Sequence, residues 1–352
     1  MRKLARGVVL VGSIGLALHL VLLQIPGLER SLRLVAGTSH FQVGAAFLAE
    51  LVSELCYAEL LRSSIGVIFS GDPSSRSRRP GRWFMLRLTV TGYGAAHVFP
   101  GGGAAATAVA YDALRRKGYN PESVGLALAA VSVLVYGALW MLFSVSLVYL
   151  LLGGDLGPVD TAASIIVLAL TVSVGLGAYV AYRRPTLAKN VVERRTRFAG
   201  RLLGDEGLRR RAGAWPARLV ARLEEELRAA RRHLAGRSSE VPRLAALALG
   251  YWIFDALCLI IMFDALGVAA DPFVLLVAYG VATAIAAVPL TPGGIGIFEV
   301  TMLATLALLG VGSEAAIPIL GYRLFNFWLP IPLAAIFYPT LRRTGQDRGP
   351  GD

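Results

Sequence analysis

The sequence predicts an all-α polytopic membrane protein: about six transmembrane helices plus two oppositely oriented re-entrant helical hairpins, arranged as an inverted repeat. Three observations point there. The 352 residues are 55% hydrophobic and only 16% charged, where a soluble domain carries about 25% charged residues. Apolar runs of about 20 residues recur, the length that crosses a bilayer as a helix. Two of the apolar segments are broken near their middles by Pro-Gly clusters, "FPGGG" at 99–103 and "PLTPGGIG" at 289–296.

In chain order, full spans are expected at about 7–27, 41–62, 122–152, 159–182, 243–266 and 315–340. Cytoplasmic loops collect Lys and Arg, and the loops sort on that rule. "MRKLAR" at the start, the basic linker 63–82, the Arg-dense stretch 183–242 and the tail "LRRTGQDRGPGD" belong inside. "GGDLGPVD" at 153–160 and the short loop with Asp264 and Asp271 belong outside. Arg30 and Arg33 are the exceptions, in a loop assigned outside. Both termini are therefore cytoplasmic, in a multi-pass protein of the cell membrane. The first run follows basic residues as a signal peptide would, but no convincing cleavage site follows it, so it reads as a helix.

This layout leaves segment 83–118 starting and ending inside, and segment 272–311 starting and ending outside. Neither fits a single span. Each reads as a half-helix in, a break, and a half-helix out. Proline ends a helix and glycine lets the chain turn. Non-helical backbone at membrane depth is tolerated where protein or a water-lined cavity surrounds it. Pro100, Gly101, Gly102 and Gly103 in the first break, and Pro292, Gly293, Gly294 and Gly296 in the second, are the candidate gate. Two spans, a hairpin and a span repeat with opposite orientation, as in many transporters. The competing reading is two unrelated Pro-Gly kinks in ordinary spans.

Residues 1–182 form the first repeat and the start of the second, 183–242 a cytoplasmic loop, and 243–352 the rest of the second repeat. Within the loop, "WPARLVARLEEELRAARRHLAG" at 215–236 has leucines at helical spacing, acids early and arginines late. It reads as an amphipathic helix on anionic lipid or on another helix, or as a solvated connector. The net charge of +12 and pI near 10.1 follow from such loops, so nucleic acid is not an expected partner. Membrane lipids are, with homo-oligomerisation left open. Cys56 and Cys258 offer neither a disulfide framework nor metal spacing. No hydrolase elbow, phosphate loop or metal motif occurs, so no cofactor, metal or catalytic residue is expected.

Ionisable residues inside spans are costly and signal function. The candidates for substrate binding are Glu50 and Glu54, one turn apart in the second span, Asp255 in the fifth, Glu299 after the second break, and Arg323 with Asn326 in the sixth. Arg323 needs an acid, and Glu299 or Asp255 could supply it. The competing reading is an ion-pair network that only fixes helix packing. Glu59 and Asp112 are weaker candidates, and His19 and His97 read as packing or hydrogen-bonding residues.

"PLTPGGIGIFEVTMLATLALLGV" followed by "YRLFNFWLPIP", with "FPGGGAAATAVAYDALRRKGYNPESVGLALAAVSV" upstream, resembles the lysylphosphatidylglycerol synthase transmembrane region family over nearly the whole chain. The resemblance implies a flippase-like fold with re-entrant helices around a cavity. It carries over to Pro292, Gly293, Gly294, Gly296, Glu299, Tyr322 and Arg323. Many members carry Gly-Glu and then an arginine after the first proline, where this chain reads "GGGAAAT". The bifunctional synthases also have a soluble aminoacyltransferase domain, and this chain runs only about ten residues past its last span. The expectation is a lipid translocase, not an enzyme, moving a phospholipid, aminoacyl-phospholipid or other polar lipid between leaflets. The alternatives are an accessory partner of a glycosyltransferase or lipid-modifying enzyme, and an intramembrane headgroup enzyme.

Overall fold

Nine α-helices account for most of the described residues of a computed structural model, which are 39–69, 79–99, 102–153, 240–287 and 291–343. The predicted spans 7–27 and 159–182, nearly all of the Arg-rich loop, and Pro100 and Gly101 lie outside them. Compactness divides the chain into one unit of 1–155 with 242–352 and a second of 156–241. The nine helices belong to the first unit, save for residues 240 and 241 at the start of one of them.

The helices are α1 His40–Phe69, α2 Arg82–Val98, α3 Gly103–Arg116, α4 Pro121–Gly153, α5 Glu240–Ala265, α6 Pro272–Ala286, α7 Ile297–Leu308, α8 Ala316–Arg323 and α9 Pro330–Arg343. Local chemistry sets several of their starts. Asp271 caps α6, its Oδ1 accepting the Phe273 N–H at 2.7 Å, with Pro272 at the first helical position. Asn120 plays the same part before Pro121, accepting the Glu122 N–H at 2.9 Å.

By length and composition, α4, α5 and the segment Ser313–Leu341 can cross a membrane. α1 is as long, at 30 residues, but Glu50, Glu54, Glu59 and Arg62 make it less apolar. It also runs to Phe69, seven residues past the predicted end of the second span. The predicted sixth span is not one uniform helix. A π-helical turn, Leu324–Trp328, separates α8 from α9, closed by the Leu329 N–H to the Leu324 carbonyl at 3.0 Å. Pro330 explains the position, because it has no N–H to continue the ladder.

Both Pro-Gly clusters fall between two short helices that pack on each other, α2 with α3 and α6 with α7. These four helices have 17, 14, 15 and 12 residues, each short of the roughly 20 that span a bilayer. The second break contains a 3-10 turn, Pro292–Gly294.

α2 lies against α9, α3 and α1, and α4 lies against α6, α1 and α3. In lipid, such packing depends on close fit and on polar contacts between helices. Gly94 supplies close fit: a Cβ there would meet Ala334 and stand 3.0 Å from the Pro330 carbonyl, so α2 and α9 touch through backbone. Trp252 supplies a polar contact, its Nε1 donating to the Val135 carbonyl at 2.6 Å across α5 and α4. α5 is the element from which polar links radiate: Ser53 of α1 donates to the Tyr251 carbonyl at 2.8 Å, and Tyr279 of α6 and Tyr322 of α8 both reach Asp255.

Candidate functional site

Two buried polar clusters sit side by side, joined by the stretch Tyr322–Asn326. One holds the second break. Arg323, at the end of α8, is 5% exposed, and its Nε donates to Glu299 Oε1 at 2.5 Å. Its Nη2 donates to the Gly293 carbonyl at 3.3 Å. The guanidinium lies between two rings, 4.8 Å from the centre of Phe298 and 4.4 Å from that of Phe327. Glu299 spends its other oxygen on the Gly296 N–H at 2.7 Å, capping α7. The choice of acid left open for Arg323 thus resolves to Glu299, which also tethers the turn.

The turn needs its glycines. Gly293, Gly294 and Gly296 have φ of 57°, 70° and 79°. At Gly293 a Cβ would stand 2.5 Å from Phe327 Cε2 and 2.8 Å from His97 Cα. His97, near the end of α2, therefore meets the second break directly. It packs edge-on to Phe327 and Tyr93, and its Nδ1 lies 2.8 Å from the Tyr93 carbonyl. That fits the packing role expected for it. Gly103 opens α3, and Gly102 precedes it with φ 39°.

The second cluster is acidic. Asp255, 2% exposed, accepts from the hydroxyls of Tyr279 and Tyr322 and from Asn326 Nδ2 at 2.8 Å. The same Nδ2 approaches Tyr93 Oη at 2.8 Å and Glu50 Oε1 at 3.3 Å. An amide nitrogen carries two hydrogens, so three acceptors compete for two donors, and Glu50 is the most weakly held. Glu50 Oε2 accepts no hydrogen bond, nor does either oxygen of Glu54 one turn further on, although both side chains are buried. The π-helical turn places Asn326 here, in keeping with the use of such turns at functional sites.

A family model described as the lysylphosphatidylglycerol synthase TM region matches residues 5–334. The chain belongs to this family. No curated protein matches it. As a member of the lysylphosphatidylglycerol synthase TM region family it is a membrane protein of a lipid-related group, with helices apolar enough to span a bilayer.

For this family member, the structure brings Glu50, Asp255, Tyr322 and Asn326 into one network, and Glu299 and Arg323 onto the second break. Glu54 adjoins the network without a bond to it. Tyr93 and Tyr279 escaped the sequence reading. Their only signal is a phenol inside an apolar helix, in "TGYGAAH" and "VAYGVA". Glu59 instead pairs with Arg62, Arg82 and Arg243, and Asp112 pairs with Arg116 at 2.8 Å on an exposed face. No group of three or more metal-capable side chains occurs among the described residues.

Proposed function

We propose that the protein is a lipid translocase of the cytoplasmic membrane that moves a polar lipid between leaflets without covalent chemistry. One observation carries the reading: Glu50 and Glu54 hold buried carboxyl oxygens that accept no hydrogen bond, beside an Asp255 that is held by three donors. A buried carboxylate without a donor is costly. A guest that brings a proton or a cationic group relieves that cost. The headgroup would pass this acidic wall while the acyl chains stay in lipid.

In this reading α2–α3 and α6–α7 are the two re-entrant hairpins of an inverted repeat, entering from opposite faces, with both termini cytoplasmic. Their shortness and mutual packing support it. The Arg323–Glu299 pair holds the second hairpin's turn, and Glu50, Glu54 and Asp255 meet the cargo. An aminoacyl-phospholipid fits this wall best, because its ammonium is the complement of a carboxylate without a donor.

The test is a leaflet assay on reconstituted protein. Fluorescent aminoacyl-phosphatidylglycerol in proteoliposomes is bleached from outside with dithionite. The accessible fraction should rise above that of empty vesicles, and Asp255→Asn and Glu50→Gln should return it to that level. A bleaching curve matching empty vesicles, or unchanged by both substitutions, would reject translocation. Chemical change of the lipid during the assay would point to a headgroup enzyme.

A further inference from the structure

Where α1, α2 and α5 come together at their arginine-bearing ends, a pocket of about 430 Å³ opens. Among its lining residues three guanidiniums, of Arg62, Arg82 and Arg243, face one carboxylate, Glu59. Arg62 Nη1 and Arg243 Nη2 each donate to Glu59 Oε1 at 3.1 Å. Arg82 Nε stands 3.7 Å from Oε2, with a side chain 81% exposed. Of the three, Arg82 is the most exposed and stands furthest from the shared carboxylate, so its positive charge stays open at the rim of the pocket. The start of α2 adds to it. Gly81 offers no side-chain cap and no acid occupies the first turn, so the positive end of the helix dipole has no anion on its own element.

The rest of the pocket is apolar. Leu55 and Met85 line it. From Leu55 an exposed ridge continues along α1 through Leu51 and Leu48, a run of about 10 Å at 1.5 Å per residue. Trp83, also at the rim, is exposed, packs edge-on to Phe337 and carries Arg87 over its ring. Tryptophan so placed belongs to the headgroup level of a membrane. Exposed leucines on a spanning helix face acyl chains, and this run is continuous with the arginines, so a water-borne anion would engage the arginines alone. An anionic lipid uses both.

We infer that this pocket binds an anionic phospholipid, its phosphate held among Arg62, Arg82 and Arg243 at the start of α2 and an acyl chain laid along Leu55, Leu51 and Leu48. The site is separate from the acidic network and does not rest on the translocation reading. Its ligand carries the opposite charge from the guest that Glu50 and Glu54 would favour.

The test uses full-length, delipidated protein in neutral detergent. Binding of dioleoylphosphatidylglycerol is compared with that of dioleoylphosphatidylcholine by native mass spectrometry, and thermal stabilisation by each is compared with that by inorganic phosphate at matched ionic strength. The phosphatidylglycerol should be retained preferentially. Arg82→Gln, at an exposed side chain, should weaken it about fivefold, the effect of one basic residue at an anionic surface, and Arg82→Glu should weaken it further. Arg115→Gln, on the exposed face of α3, should leave it unchanged. Equal retention of the two lipids, or a preference that survives both Arg82 substitutions, would overturn the site. A loss in Arg115→Gln equal to that in Arg82→Gln would reduce it to diffuse surface charge. Stabilisation by inorganic phosphate equal to that by phosphatidylglycerol would overturn the lipid assignment.

Discussion

Replacing Arg323 with leucine tests what holds the second break together. The guanidinium is buried, and the substitution removes its bonds to Glu299 and to the Gly293 carbonyl. Glu299 would keep only the Gly296 N–H. Breaking one side of a buried ion pair costs about 3–5 kcal/mol, because the other charge is left uncompensated. A single interhelical hydrogen bond inside a membrane averages only about 0.6 kcal/mol. The two magnitudes separate cleanly, so a loss above about 2 kcal/mol identifies the charge, not the hydrogen bonds, as the stabilising element. The expectation for Arg323→Leu is therefore a large loss of folded stability, measured by reversible unfolding in mixed micelles. Glu299→Gln should also destabilise, and the double substitution should cost well under the sum, with a coupling of about 2 kcal/mol or more. Additive single losses, within about 0.5 kcal/mol, would refute the pairing as the source of stability.

Gly293→Ala should destabilise by about 1–3 kcal/mol through overpacking against Phe327 and His97. Gly44→Ala, in a helix with nothing near the added methyl, should be neutral or stabilise by up to about 1 kcal/mol; thermal unfolding compares the two. Trp252→Phe should lose about 0.6 kcal/mol with its interhelical bond to the Val135 carbonyl, read by the same method. For topology, cysteines at Arg82 and Lys117 should label from one face of the membrane and cysteines at Ala270 and Ser313 from the other. Opposite labelling within either pair would remove the re-entrant placement.

The boundaries of α2–α7 were largely legible because their signals are local. Pro-Gly clusters stop helices, Asn120-Pro and Asp271-Pro start them, and arginines mark the ends of apolar runs. The division of segment 83–118 at Gly102 and of 272–311 at Pro292–Gly294 follows directly from such residues. The candidate acids were legible too, since a charge inside an apolar run needs no structure to be noticed. Their partners were not. Whether Arg323 meets Glu299 or Asp255 depends on which face of α8 each packs against. The π-helical turn, which decides where Asn326 points, comes from a Pro330 that reads in sequence as one more residue of a span. Tyr93 and Tyr279 enter the network only because α2 and α6 bring them there, and no residue spacing announces that.

The meeting of Gly293 with His97 has a mechanical consequence. The end of α2 and the turn before α7 come from opposite halves of the chain, and they meet at Gly293 with the His97 backbone and the rings of His97 and Phe327 closed against the glycine. A joint of that kind transmits displacement with little slack. Crowding Gly293 should therefore disturb the end of α2 as well as the turn before α7.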